Sequence, residues 1–235
     1  MYDIYVYGDI GESWSLDYTT AKDLADKLNE ANGDDVTIHV NSGGGDVFDA
    51  NTMAELIRSY KGRTTTVIEG FAASAASYFA LTADEVKMGR SALMMIHNPY
   101  ARCVGDAEEM RKTGDMLDKV RDTIVNQYES KTGMGRSDIE SMMDAETYMS
   151  AERALELGFV DSVIESEKVA ARVSDEVLAT YKNVPESLRN AAGEGGSSIQ
   201  PKDDTASGAG AAPVDEGASS RVICTNGLFL RARGA

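Results

Sequence analysis

Along the first two thirds of the chain, the spacing of apolar side chains switches repeatedly between a two-residue period and a three-to-four-residue period. Each switch predicts an element. Tyr2–Tyr7 alternates and reads as a strand. Within Asp17–Asn29, Ala21, Leu24, Ala25 and Leu28 recur at helical spacing, and Asn32-Gly33-Asp34 then turns the chain. Val36–Val40 is strand-like and runs straight into the glycine turn Asn41-Ser42-Gly43-Gly44-Gly45. Val47–Tyr60 sets Ala50, Met53, Ala54, Ile57 and Tyr60 on one helical face, closed by Lys61-Gly62. The β-branched run Thr64–Ile68 is a strand, Gly70 opens a second turn, and a helix of small residues follows from Ser74 to Ala83. Val86–Met88 and Leu93–Ile96 are short strands. The longest helical stretch is Asp106–Lys131, with Met110, Met116, Leu117, Val120, Ile124 and Tyr128 as its apolar positions. Ser137-Asp138-Ile139-Glu140 has the form of a capping box. Ser150 is placed to cap a helix that runs to Leu157 and stops at Gly158, and Phe159–Ile164 is a last short strand.

Strands alternating with helices predict right-handed crossovers and a largely parallel sheet, an α/β fold. In such sheets a site lies beyond the carboxyl ends of the strands. Both glycine turns, and His97, follow directly on a strand, so three chemically useful pieces share that location. The expected organisation is a globular domain over residues 1–166, a C-terminal helix within 167–192, and a low-complexity linker and tail over 193–235. Val169, Val173, Val177 and Leu178 supply the apolar positions of that helix. Gly193–Ser220 is rich in Gly, Ala, Ser and Asp and cannot bury a core. Val222-Ile223-Cys224 and Leu228-Phe229-Leu230 form a small apolar island beyond it, readable as a docking peptide or as plain tail.

Composition narrows the function classes. Hydrophobic residues make up 42% of the chain, enough for a substantial core. Cys103 and Cys224, the only two cysteines, show no metal-ligand spacing and no disulfide framework, which fits a reducing, cytosolic setting. The opening Met1-Tyr2-Asp3-Ile4 has no basic region followed by an apolar run, and no apolar stretch approaches about 18 residues; neither a signal peptide nor a membrane span is read. Residues 168–235 hold 8 basic and 8 acidic residues, so the whole net charge of −16 falls on residues 1–167. Such a surface repels phosphate backbones and argues against nucleic-acid binding; taken alone it is a solvated, soluble surface.

Each candidate for chemistry has a structural reading beside it. Ser74 lies at a strand-to-helix turn, where a hydroxyl is exposed and a helix N-terminus favours developing negative charge, and Ala72, Ala73, Ala75 and Ala76 leave room for a carbonyl. Small residues also permit close helix packing. Ser77 is a second hydroxyl one turn on, pointing along the helix. Of the two histidines, His97 ends a strand just before Asn98-Pro99 and is placed to act as a general base, whereas His39 lies inside a strand and reads as a packed or sheet-surface residue. Gly43-Gly44-Gly45 could cradle a phosphate, hold an oxyanion, or simply turn the chain. No lysine or dinucleotide spacing accompanies it and Asp46 follows at once, which favours the oxyanion over the phosphate. Asp144 and Glu146 are alternative carboxylates to orient a histidine. No metal or cofactor site is read.

Taken in order, these pieces resemble the proteolytic subunit of the Clp protease, peptidase family S14. The resemblance runs from about Met1 to Ile164. It is carried by Asn41-Ser42-x-Gly44-Gly45, Gly70-x-Ala72-Ala73-Ser74, Met95-Ile96-His97-x-Pro99, the long helix after them, and Ser150-Ala151-x-x-Ala154 leading to Gly158-Phe159-Val160-Asp161. It implies the spiral of ββα units shared with crotonases and a serine endopeptidase that cleaves proteins or peptides inside a homo-oligomeric ring. Ser74 would be the nucleophile, His97 the base, and Gly45 with the N–H of Ala75 the oxyanion hole. The family's aspartate position falls on Glu146, one methylene longer, with Asp144 as fallback. Ala75 stands where housekeeping members tend to carry Met, the chain starts almost at its first strand, and the Gly/Ser/Ala tail is foreign to them. These traits resemble the phage and prophage branch that processes capsid proteins in head maturation. Its partners would be a capsid or scaffold protein, or an AAA+ unfoldase, and its location the cytoplasm or a procapsid. The rival readings are a capsid scaffold that has lost catalysis and a crotonase-like acyl-CoA enzyme.

Overall fold

The computed structural model describes residues 2–12, 17–165, 181–185, 221–224 and 228–231. A mixed sheet of eight strands carries the fold. Its elements run β1 (Tyr2–Ile10), β2 (Tyr18–Thr19), α1 (Ala21–Ala31), β3 (Val36–Gly45), α2 (Val47–Ser59), β4 (Thr64–Ala73), α3 (Ala75–Ala80), β5 (Glu85–Gly89), β6 (Leu93–Ile96), α4 (Ala107–Thr132), α5 (Arg136–Asp144), β7 (Thr147–Ser150), α6 (Ala151–Glu156) and β8 (Ser162–Ile164). The main path orders the strands β2-β1-β3-β4-β5-β8, all parallel, and β6 branches from β4 to pair antiparallel with β7. A separate antiparallel pair, β9 (Arg221–Cys224) and β10 (Leu228–Arg231), falls on the apolar island of the tail.

The helical faces follow the apolar spacing. Leu24 and Leu28 of α1, and Ala50, Met53, Ala54 and Ile57 of α2, are buried in one core with Ile4, Val6, Ile38, Val40 and Ile68 of the sheet. Each large apolar side chain so enclosed contributes roughly 1.5–3 kcal/mol. Reciprocal hydrogen bonds between Thr20 and Asp23 close the start of α1, and the same box between Asp106 and Glu109 opens α4. α4 departs from its expected burial. Only Val120, Ile124, Val125 and Tyr128, all in its second half, are buried, while Met110 is exposed. A helix of 26 residues is about 39 Å long, and its fully buried positions all fall in the second half.

Several sequence-based expectations are corrected. Ser137 caps nothing: α5 begins at Arg136 behind Gly135, without a side-chain cap. Glu140 instead accepts from the Arg136 guanidinium, which also reaches Asn126 on α4 and ties the two helices together. β7 carries no strong strand signal and exists because β6 offers it an edge. The small-residue helix is shorter than expected, Ala75–Ala80. Most of the helix expected within 167–192 lies outside the described residues. The described part, Tyr181–Pro185, is not helical, and Pro185 disfavours a helical Val184.

Both glycine turns are the ends of strands. β3 continues through the glycines, with Gly44 and Gly45 aligned with Asp9 and Ile10 of β1. Here glycine is required: φ is +95° at Gly44 and +152° at Gly45. A Cβ on Gly45 would stand 2.2 Å from the Ile10 carbonyl oxygen, and one on Gly44 would stand 2.9 Å from Ser74 Cβ. Gly45→Ala is therefore expected to lower stability by on the order of 2–4 kcal/mol. Gly114→Ala, in α4 where a Cβ meets nothing within 4 Å, is expected to raise it by roughly 0.5–1 kcal/mol. Denaturant titration of the two variants checks both signs.

Candidate active site

The geometry of the site begins with a break in the β4 ladder. Thr65–Ile68 pair with β5, then Phe71–Ala73 pair with β6. On the other side the register with β3 jumps from Val40↔Ile68 to Ser42↔Ala72, so β4 holds two residues more than β3 in that interval. The bulge interrupts the ladder, and the Asn41 side chain accepts the N–H of Phe71 at 3.1 Å. Past the bulge, Ser74 donates its own N–H to the Met95 carbonyl at 2.9 Å. That bond brings the end of β4 beside the end of β6, and His97 is the residue after β6.

Ser74 Oγ and His97 Nε2 stand 2.7 Å apart. Ser74 adopts φ +55°, ψ −125°, a backbone conformation unusual for a residue with a Cβ. This sharp strand-to-helix corner aims the hydroxyl at the ring. Burial lowers the His97 pKa from 6.5 to about 4; nearby Glu146 opposes that shift and Lys182 reinforces it. The ring is thus neutral near pH 7. With its proton on Nδ1, Nε2 accepts from the serine hydroxyl, the arrangement of a general base beside a nucleophile. The edge of Tyr181 packs against the imidazole at 5.5 Å between centroids, with Tyr100 at 5.8 Å.

The two candidate carboxylates part company. Asp144, at the end of α5, accepts from Arg121 at 2.9 Å and from Asn98 at 2.7 Å. Glu146 has φ +51° and directly precedes β7, whose Thr147 pairs with Ile96. His97 and Glu146 are therefore each one residue beyond the same ladder pair. The Glu146 carboxylate accepts from the backbone N–H groups of Asn183 at 2.8 Å and Lys182 at 3.0 Å. Close approach at the glycine strand sets the other wall. A Cβ on Gly44 would come within 3.0 Å of Ala75 N, so the glycine strand and the residue after Ser74 face each other.

The remaining hydroxyl, histidine and acid are committed to structure. Ser77 is buried, donating to the Ser74 carbonyl at 2.7 Å and sharing a bond with the Tyr128 hydroxyl at 2.8 Å. His39 lies on the sheet surface, stacked on Tyr5 and bonded to Glu69 at 2.8 Å. Asp46 caps α2 by accepting from Phe48 at 2.7 Å and Asp49 at 3.0 Å, so a carboxylate already occupies the helix start a phosphate would need. Among the described residues no group of acidic, histidine or cysteine side chains could hold a metal, and no helix is long and apolar enough to cross a membrane. Cys103 is a free thiol. Sequence reasoning did not find the part played by Tyr181–Pro185; the signal available was Pro185, which interrupts the expected helix.

Comparison with known proteins agrees with this architecture. The family model described as Clp protease matches residues 7–167. An ATP-dependent Clp protease proteolytic subunit 1 from Synechococcus sp. (strain CC9902) is 29% identical over 141 residues, spanning 58% of this chain and 71% of that protein. A proteolytic subunit from Chlorella vulgaris is 32% identical over 130 residues, 54% of this chain and 64% of that one. The structure of a ClpP1 point mutant from Listeria monocytogenes superposes with a TM-score of 0.60 at 25% identity, covering 70% of this chain and 91% of that one. With the family model spanning more than half of its residues and the fold matching a solved member, the chain belongs to the Clp protease family.

Proposed function

We propose that this chain is a serine endopeptidase that works as a ring of identical subunits, with Ser74 as nucleophile, His97 as general base, Glu146 as orienting carboxylate and the N–H groups of Gly45 and Ala75 as oxyanion hole. The observation that carries the reading is the 2.7 Å contact between Ser74 Oγ and His97 Nε2 at a strained corner. Ser74 Oγ attacks the peptide carbonyl as its proton passes to Nε2. The oxyanion forms between the glycine strand and Ala75, where each donor is worth roughly 3–4 kcal/mol. His97 then protonates the leaving amine, and water, deprotonated by the same nitrogen, releases the acyl group. Glu146 serves the imidazolium by accepting a hydrogen bond from Nδ1–H while staying ionised.

Ring assembly is supported by the first half of α4, none of whose side chains is fully buried against the described residues, and by exposed Tyr5, Tyr7, Tyr18, Phe48 and Met110. The finer reading is the phage and prophage branch acting on capsid or scaffold proteins. Ala75 and the Gly/Ala/Ser-rich residues after 192 support it. Kinship with ATP-dependent proteolytic subunits supports the alternative that an AAA+ unfoldase delivers the substrate.

A fluorophosphonate probe, with the labelled residue mapped by mass spectrometry, tests the chemistry. Wild type is expected to label on Ser74; Ser74→Ala abolishes labelling, and His97→Ala slows it roughly 10⁴-fold or more. Glu146→Gln slows it roughly 10²-fold or more, whereas Asp144→Asn, which disturbs only Arg121 and Asn98, loses less than about tenfold. Equal losses at 144 and 146 would count against Glu146. Light scattering is expected to give a multiple of the protomer mass over a wide concentration range, and a monomer throughout would overturn the ring. The depressed His97 pKa also sets a pH dependence of stability. The folded chain takes up this proton at lower pH than the unfolded chain, so the contribution is complete above about 6.5 and is lost as pH falls toward about 4. It amounts to roughly 3 kcal/mol. Between pH 7 and 4.5 the melting temperature of wild type should fall more steeply than that of His97→Gln.

A further inference from the structure

Resting on the peptidase reading, we infer that Tyr181–Pro185 is an autoinhibitory strap, seated in the catalytic cleft of its own chain, that keeps the triad disassembled. The key contact is on Glu146. One carboxylate oxygen accepts the N–H of Lys182 and the other the N–H of Asn183. The Asn183 side chain donates to the neighbouring Ala145 carbonyl at 3.0 Å. Both oxygens of the proposed orienting acid are thus directed at the strap backbone, although the strand register sets Glu146 across from His97. So held, Glu146 acts on the ring through its charge, which raises the His97 pKa, while its hydrogen bonds run to the strap.

The other end of the strap sits on the opposite wall. The Tyr181 hydroxyl donates to the carbonyl of Gly43, at the start of the glycine strand, while its ring covers His97. Tyr181 and Val184 retain only 5% and 8% of their accessible surface. They complete a small apolar cluster with Phe71, Ala73 and Met95, apart from the main core. All three cluster residues come from the ends of β4 and β6 that present Ser74 and His97. One five-residue segment therefore bridges the glycine wall, the base and the acid. A bound substrate backbone would have to occupy the same space.

The strap acts as a competitor held at high effective concentration by its own tether. Activity then requires its displacement, by a longer substrate segment, by assembly with other copies, or by proteolysis of the chain between residue 165 and the strap. Displacement frees the Glu146 carboxylate to accept from His97 Nδ1 and opens the apolar cluster to a substrate side chain.

Fluorophosphonate labelling of Ser74 in full-length variants tests this. Tyr181→Ala and Asn183→Pro each remove one anchor and are expected to label about tenfold or more faster than wild type, the effect of losing one buried hydrogen bond and its packing. Tyr181→Phe keeps the ring and loses the hydroxyl that bonds Gly43, so it decides the matter if circular dichroism shows the other two unfolded; its expected rate is a few-fold above wild type. A synthetic peptide of residues 178–188 should slow the released variants back toward the wild-type rate. Wild type labelling as fast as the folded variants overturns the strap and leaves the peptidase standing. If neither wild type nor any folded variant labels at Ser74, the peptidase reading falls and the strap with it.

Discussion

The split of the β4 ladder is the constraint on which the rest of the site depends. A strand that paired β5 along its whole length would carry Ser74 away from β6 and leave the hydroxyl without its histidine. The two extra residues of the bulge let β4 change partners, and the Asn41 side chain takes the N–H of Phe71 where the ladder fails. A buried donor left unsatisfied there would cost roughly 1–3 kcal/mol. The Ser74 N–H then docks on the Met95 carbonyl, and the 2.7 Å contact between hydroxyl and imidazole follows from backbone pairing rather than from side-chain choice.

Beside this rigid pair the acid is the adjustable element. Burial already keeps His97 neutral near pH 7. In the proposed mechanism an imidazolium forms at this ring; burial does not stabilise it, and a carboxylate would. The antiparallel register of β6 and β7 sets Glu146 across from His97, and its oxygens accept from the N–H groups of Lys182 and Asn183. Ser74 and Glu146 both have positive φ, and both conformations persist because the surrounding strands hold them.

Much of the fold was legible because apolar periodicity records which face of each element is covered. Leu24 and Leu28, and Ala50, Met53 and Ile57, were assigned to the core by spacing and are buried there. The same rule fails in the first half of α4, where Met110 and Met116 keep the spacing but Met110 is exposed and Met116 only partly covered. It fails again at Ser137, where the capping pattern is present but Arg136 draws Glu140 into an interhelical contact. Thr147–Ser150 has no alternation strong enough to announce a strand and becomes one only against β6.

The order of Gly44-Gly45, Ser74, His97 and Glu146 along the chain was determined by the sequence alone, as were the glycine positions that no side chain could occupy. Local chemistry suffices for those: a positive φ selects glycine, a β-branched run selects a strand, and a histidine after a strand end falls at the rim of a parallel sheet. Which carboxylate faces His97, whether Ser77 is free, and what covers the cleft were decided only by the tertiary structure. Asp144 and Glu146 are two residues apart and chemically alike, and only the pairing of Ile96 with Thr147 separates them. Tyr181 is 138 residues from the Gly43 carbonyl to which its hydroxyl donates. No local pattern encodes a contact of that span; it exists because the sheet brings both walls of the cleft within reach of one segment.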